Sequence, residues 1–352
     1  MSETDNIIVE TAARIFADLA DAQTIIKSNT DWATPLWSAL TDAGLTLSWV
    51  PEECGGSGAE LADGFGVLQA AGRAAVPVPL AETMLAGWLL AQGKISSPAG
   101  AMTVAPSHPR DRITLNDDGT LSGRARGVPF AKHTGHIAVI ASGPSGASIA
   151  LVAASACQIV AGKNLAGEPS DIVSFDRSKP VTLTKAPAGF DQTSVLLMGA
   201  VTRSLQIAGA LETALEISVR YSGERVAFEK TISKFQAVQH NLARLAGEVA
   251  AAVTAAGSAA DAFAHSAPQD ALFLEAAAAK IRCGEAAETG AAIAHQVHGA
   301  IGFTDEHILH RFTLRALGWR DDFGHESHWA VELGNRVAAL GADELWPLVA
   351  SR

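Results

Sequence analysis

An α+β fold in three parts is predicted for this chain. The parts are an N-terminal helical domain over residues 1–95, a central antiparallel β domain over 96–190 and a C-terminal four-helix bundle over 191–352. Three observations predict it. Apolar residues recur at steps of three and four before and after a central stretch, the period drops to two within that stretch, and an alanine-rich run late in the chain is broken by Gly299 and Gly302.

From the start to about Lys94 the pattern is helical. Thr30 or Asp31 is the expected cap of a helix carrying Trp32 to Leu40, and Gly44 is its stop. Ser57-Gly58-Ala59-Glu60 reads as a capping box opening the helix of Leu61, Phe65, Leu68 and Ala71, which Pro77 and Pro79 separate from a helix over Glu82 to Ala91. The glycines of Pro51-Glu52-Glu53-Cys54-Gly55-Gly56-Ser57-Gly58 lack the Gly-Lys-Ser/Thr ending of a phosphate loop, so the segment reads as a structural turn.

Between Ser96 and Ala188 short apolar runs predict strands at Arg112–Leu115, His136–Ala141, Ser148–Val152, Gln158–Val160, Ile172–Phe175 and Val181–Leu183. Asn116-Asp117-Asp118-Gly119 and Gly143-Pro144-Ser145-Gly146 supply turns. From about Ser194 the helical period returns. Ala208, Leu211 and Leu215 mark one helix, and Phe235, Val238, Leu242, Leu245, Val249 and Val253 a second. Leu272 to Val297 forms a third, and Leu333, Val337 and Leu340 a fourth. Four amphipathic helices predict an antiparallel bundle.

Composition narrows the function. At 352 residues and 48% hydrophobic content the chain has ample material for a core. No apolar run approaches the roughly eighteen residues that span a bilayer. The start, Met1-Ser2-Glu3-Thr4-Asp5, is acidic where a signal peptide is basic, so a cytoplasmic protein is expected. Cys54, Cys157 and Cys283 are odd in number and far apart, which predicts buried free thiols. A net charge of −11 with no offsetting basic cluster argues against nucleic acid. Three histidine pairs at i, i+3 spacing, His295/His298, His307/His310 and His325/His328, keep a metal-binding helical protein open as an alternative, although neither Glu-x-x-His nor His-Glu-x-x-His is present.

Two segments carry a family resemblance. Tyr221 to Gln236 reads Y-S-G-E-R-V-A-F-E-K-T-I-S-K-F-Q, and some sixty residues later comes Gln296-Val297-His298-Gly299-Ala300-Ile301-Gly302-Phe303. Together they resemble the acyl-CoA dehydrogenase family, in which R-x-x-F-G-x-x-I-x-x-F-Q and Q-x-x-G-G-x-G-F/Y segments both hold FAD. The P-E-x-x-G-G-x-G turn of that family is similar to Pro51–Gly58. The resemblance implies the three-part fold already read from periodicity. It also implies FAD as cofactor, with Arg225, Phe228, Gln236, Gln296 and Gly299 as cofactor-binding residues that reach a flavin seated mainly in a neighbouring subunit. Arg225 suits a pyrophosphate because its planar fork is always charged. Glu229 and Ala300 stand where the family has glycine.

Elsewhere the resemblance fails in a pattern. The family's flavin-ring segments T-E-P-x-x-G-S-D and W-I-T-N fall on Thr103–Arg110 and Val128–Ala131, and neither matches. The glutamate that takes the Cα proton of the acyl-CoA opens an E-G-T segment in most relatives, and a gapless reading puts Gly324 there. In others it precedes an arginine on the first bundle helix, where this chain has Thr202 before Arg203. The catalytic base is therefore unassigned, with Asp322 and Glu326 as nearby candidates whose other reading, like that of Asp321, is capping or solvated loop. Arg203 is a candidate contact to CoA or a partner subunit, or else a surface cation. A chain that keeps the contacts to a neighbour's flavin but lacks its own base and ring pocket is expected to be the complementing, non-catalytic subunit of a heteromeric acyl-CoA dehydrogenase. It would assemble as a dimer of dimers with another acyl-CoA dehydrogenase-like chain, similar to bacterial enzymes acting on steroid side chains. The alternatives are a self-sufficient homotetrameric dehydrogenase using Asp322 or Glu326, the metal-binding protein and an inactive scaffold.

Overall fold

Among the residues that the computed structural model describes, 3–21 and 34–350, the leucine- and alanine-rich start folds into four helices. These are α1 (Glu3–Leu19), α2 (Thr34–Asp42), α3 (Leu61–Arg73) and α4 (Leu80–Gln92). The expected Thr30 or Asp31 cap lies outside the described residues. Gly44, at φ 71°, turns the chain out of α2. The capping box of α3 sits one turn later than expected. Glu60 is the cap and its backbone N–H donates to Asp63 at 3.2 Å, while the Ser57 hydroxyl donates back to the Gly44 carbonyl at 3.1 Å. Helix α4 is buried on nearly every side, which places it between the sheet and the bundle and brings Glu82 into the interior.

Eight strands follow: β1 (Met102–Ala105), β2 (Ile113–Leu115), β3 (Leu121–Pro129), β4 (His136–Gly143), β5 (Gly146–Ala153), β6 (Gln158–Val160), β7 (Ser170–Ser178) and β8 (Thr182–Lys185). They pair in the order β6-β7-β3-β2-β4-β5-β8, with β1 beside β4. The sheet is not wholly antiparallel, because β4 runs parallel to both β1 and β2. Alternation on β4 and β5 explains how it is covered on two faces. Ile137, Val139, Ala141, Ala150 and Val152 point into a core with Val173 and Phe175. Ala138, Ile140, Ile149 and Leu151 point the other way, into the helical core with Met102 and Val104. Strands β1 and β3 were not legible in the sequence: β1 is only four residues long, and β3 carries Gly123 and Gly127 at positive φ with register shifts against β7.

The C-terminal half is helical. Asp191 caps α5 (Gln192–Glu224) by accepting from the N–H groups of Thr193 and Ser194. Helix α6 (Gln236–Ala264) and α7 (Gln269–His298) run beside it, the alanines of α7 allowing close packing. Then come α8 (Leu309–Trp319), α9 (Glu326–Leu340) and α10 (Ala342–Ala350). A two-strand hairpin, β9 (Val226–Ala227) and β10 (Lys230–Thr231), joins α5 to α6. Helix α5 corrects the expectation that no stretch is apolar enough to cross a membrane, since it passes that test by length and composition. Yet 94% of the qualifying window is buried inside the protein, so it is the central core helix.

The wall of the bundle expected from Leu333, Val337 and Leu340 is instead supplied by α8, whose Leu309, Phe312, Ala316 and Trp319 are buried, while Leu340 on α9 is exposed. Helix α8 is also tied to the sheet. Arg315 Nε donates to Glu168 Oε1 at 2.8 Å and Trp319 Nε1 to Glu168 Oε2 at 3.0 Å, an anchorage that fixes how the two layers meet. Cys54 and Cys283 are buried free thiols, whereas Cys157, expected to be buried, is only half-buried.

Candidate functional site

The two segments that carry the resemblance, distant in sequence, meet at one end of the bundle. Tyr221, in the last turn of α5, donates its hydroxyl to the His298 carbonyl at 3.3 Å and stacks on the His298 ring at 4.4 Å. Four residues after Tyr221 comes Arg225, and directly after His298 comes Gly299. The hairpin then turns outward, with Phe228 89% exposed and edge-on to Phe235 at 6.2 Å, next to Gln236. Arg225, Phe228, Gln236, Gln296 and Gly299 are all exposed. Among the described residues, neither the guanidinium of Arg225 nor either glutamine amide has a side-chain partner. Gly299 adopts φ 66°, and a Cβ built on it meets nothing within 4 Å. This is an open, donor-rich face with flat walls, suited to a phosphate-bearing ligand.

Glu229, which stands in place of a family glycine, sits at φ 68°, and Phe228 beside it at φ 52°. A left-handed backbone costs a residue with a Cβ roughly 1–2 kcal/mol, so Glu229→Gly should raise stability by up to about 1 kcal/mol. Urea denaturation of the two proteins measures it, and a decrease would show that the Glu229 side chain makes a compensating contact.

The second site is the space between sheet and bundle, where the resemblance puts the proton-abstracting base. Both base positions are closed by packing: Thr202 is 1% exposed, and a Cβ at Gly324 would stand 2.7 Å from Trp329 Nε1. Arg203, expected at a CoA contact or on the surface, is 2% exposed. Its Nη2 donates to Glu82 Oε1 at 2.6 Å, its Nε to Asp322 Oδ2 at 2.9 Å and its Nη1 to Gln206 Oε1 at 2.5 Å. Buried among these partners, each of its three nitrogens bonded inside the protein, Arg203 is a structural cation and not the substrate contact or surface charge expected of it. Burial raises the Asp322 carboxyl to about 6 against the pull of Arg203 and Lys280, but its oxygen is already held by the guanidinium. Glu326, the other candidate base, accepts two hydrogen bonds from Arg320 Nε at 2.8 and 3.0 Å, and its carboxyl lies below the usual range chiefly because burial is outweighed by Arg320. Neither carboxylate is free to take a proton.

Phe323 completes the filling. It is 2% exposed, and its ring lies where Gly199 lacks a side chain, since a Cβ there would stand 2.3 Å from the ring. Its backbone N–H donates to the Ser107 carbonyl at 3.1 Å, and its carbonyl accepts from Trp329 Nε1 at 3.0 Å. Fully buried Lys280 donates to the carbonyls of Arg320 at 2.5 Å and Gly324 at 2.9 Å, and burial lowers it to about 8. Phe323 itself holds φ 54°, a strained conformation kept in place by these surroundings. Outside this stopper a cleft of about 1110 Å³ remains open, with Arg110, Arg112 and Arg336 on its walls alongside Asp321 and Glu332.

Sequence reasoning missed Glu82, Gly199, Lys280 and Phe323. Only Lys280 left a signal, a charge directly after the four alanines Ala276–Ala279. The histidine pairs do not form the metal site kept open earlier, because among the described residues no group of three or more His, Cys, Asp or Glu is placed to hold a metal ion. His295 Nε2 instead meets Thr313 at 2.8 Å, His298 Nδ1 meets the Ala294 carbonyl at 2.7 Å, and His310 Nδ1 the His307 carbonyl at 2.6 Å. His325 is the cap of α9, accepting from the Ser327 N–H.

The sequence profile of the acyl-CoA dehydrogenase C-terminal domain matches residues 189–320, which span both motif segments. The acyl-CoA dehydrogenase IpdE2 of Mycobacterium tuberculosis is 27% identical over 328 residues, covering 90% of this chain and 92% of the relative. The matched segment is an acyl-CoA dehydrogenase C-terminal domain, and the chain as a whole is acyl-CoA dehydrogenase-like. Acyl-CoA dehydrogenases are oxidoreductases acting on CH–CH bonds, and this chain shares their α+β fold. Among solved structures, one chain of the ChsE4–ChsE5 complex from Mycobacterium tuberculosis superimposes with a TM-score of 0.86 at 22% identity, covering 96% of this chain and 98% of the other. A chain of the Tcur3481–Tcur3483 steroid acyl-CoA dehydrogenase (G363A variant) does so with a TM-score of 0.84 at 25% identity and the same coverage.

Proposed function

We propose that this chain is the complementing subunit of a two-chain acyl-CoA dehydrogenase, holding the outer part of an FAD whose ring site and catalytic base belong to a partner chain of the same family. The observation that carries the reading is the filled slot. Directly beside Gly324 and Thr202, the two places where relatives keep a glutamate, this chain packs Phe323 against Gly199 and a closed Glu82–Arg203–Asp322 network. The likeness to one chain of a complex whose two chains are named separately, ChsE4 and ChsE5, supports the partner. The steroid enzyme among the structural relatives supports a steroid-derived acyl-CoA as substrate.

In this reading FAD, when bound, accepts the hydride that leaves Cβ of the thioester. Arg225 binds phosphate by its charged fork, Phe228 supplies a flat wall, and the Gln236 and Gln296 amides read polar edges of the dinucleotide. Gly299 keeps side chains out of the way. None of these residues moves a proton. Abstraction from Cα is the task of a carboxylate on the partner, because Asp322 and Glu326 already accept from arginines. The self-sufficient alternative draws on the Asp322 carboxyl at about 6, a value suited to a base, but the Arg203 bond and Phe323 stand against it.

Expressing the chain with a candidate partner and titrating FAD tests the reading. Arg225→Ala in the assembled pair should weaken FAD binding about ten- to a hundredfold, as expected for loss of a charge-assisted hydrogen bond, with little change in the unfolding midpoint. Unchanged affinity would remove Arg225 from the face.

A further inference from the structure

The grip proposed above depends on two pieces of chain being held at a fixed separation, the Arg225 end of α5 and the Gly299 turn after α7. One cluster spans them. Tyr221 stacks on His298 at 4.4 Å with 23° between planes and presents its ring to the edge of His307 at 5.9 Å. His298 and His307 lie 4.7 Å apart, and His307 precedes α8, so α5, α7 and the segment entering α8 are joined through three rings. Backbone bonds add to the join, with Tyr221 Oη donating to the His298 carbonyl at 3.3 Å.

The cluster is made for neutral imidazoles. His298 is 4% exposed and its Nε2 has no hydrogen-bond partner, and His295 Nδ1 is likewise unpartnered. The charged and titratable groups around the rings are mostly basic. Arg220 comes from α5, His295 from α7 and His310 from α8. The acidic neighbours are on the loop between, where exposed Asp305 reaches His310 Nε2 at 3.7 Å and Glu306 adjoins His307 in sequence. A proton on His298 or His307 therefore enters a buried, positively biased site.

We infer that Tyr221, His298 and His307 form a clasp of positioning residues that sets the distance between Arg225 and Gly299, and that protonation opens it. This rests on the proposed role of that face, but the clasp itself belongs to this chain alone. Burial first, and then the neighbouring bases, hold His298 and His307 below the usual 6.5, so the closed clasp binds fewer protons than the open one. By linkage the closed form is at full strength above pH 6.5 and weakens as pH falls below it, towards the depressed folded values.

The test has two arms. On the isolated chain, NMR titration of the histidine side chains and hydrogen exchange of amides 299–303 should show His298 and His307 titrating below 6.5, with the protection of those amides relative to their intrinsic exchange rates falling at least tenfold between pH 7.5 and 5.5. In the assembled pair, FAD affinity should fall by a similar factor over that range. His307→Asn, which removes one of the two titrating rings of the clasp, should make the pH profile shallower. Tyr221→Leu should weaken affinity at every pH, and Tyr221→Phe, which keeps the stack, should restore most of it. Histidines titrating at or above 6.5 in the isolated chain, or a pH profile unmoved by His307→Asn, would overturn the clasp. If the wild-type pair holds no FAD at pH 8, the partner reading fails instead, and the first arm still decides the clasp.

Discussion

Replacing Arg203 by methionine is expected to destabilise this chain by about 3–5 kcal/mol, the usual consequence of stranding buried charge. The guanidinium is shared between Glu82 and Asp322, each within hydrogen-bonding distance and each nearly inaccessible to water. Removing it leaves two carboxylates facing each other beside a lysine that is already bonded to carbonyl oxygens. The remedy available to the protein is to protonate them, and because Arg203 itself holds the Asp322 carboxyl down to about 6, its loss moves that group higher and the deficit should shrink as pH falls towards 6. The triple variant Glu82→Leu, Arg203→Met, Asp322→Leu should recover most of the loss, because a buried ionic network replaced whole by apolar residues is often neutral. Chemical denaturation of the single and triple variants at pH 7.5 and 5.5 checks both statements. A single variant within about 1 kcal/mol of wild type would show that water reaches the network, the regime of exposed ion pairs.

The second large effect concerns the stopper. Adding a methyl group at Gly199 should cost at least about 1–3 kcal/mol, as overpacking does, because the ring of Phe323 stands 2.3 Å from the new carbon and is held by the Ser107 and Trp329 bonds. Phe323→Ala alone should cost about 3–5 kcal/mol, lessened by relief of strain. Combined, the two should cost less than the sum, since the methyl then enters space the ring vacated. A double-mutant cycle by thermal or urea unfolding measures the coupling. Additive effects would mean that ring and glycine do not meet.

How much of this was legible beforehand follows from which residues act locally. The helices announced themselves through periodicity, and the strands β4 and β5 through alternation and the Gly143–Gly146 turn. Strand β3 stayed hidden because its glycines and arginines serve bulges and long-range pairing with β7 rather than a local pattern. The phosphate-suited face was readable because its residues lie in two short contiguous segments. The filling of the cleft was not, because it joins α4, α5, α7 and the loop before α9. Glu82 and Asp322 are more than two hundred residues apart in sequence and meet only through Arg203. The spacing of the histidine pairs pointed to metal, yet burial and stacking on Tyr221 and Phe303 give those rings other partners.

What distinguishes a borrowed cofactor from an owned one is flavin bound per polypeptide, read from the absorbance of purified protein. The chain purified alone should be colourless and inactive towards acyl-CoA thioesters, and the same chain co-assembled with its partner should hold about one flavin per pair of unlike chains and turn over. A yellow, active assembly made only of copies of this chain would contradict the account.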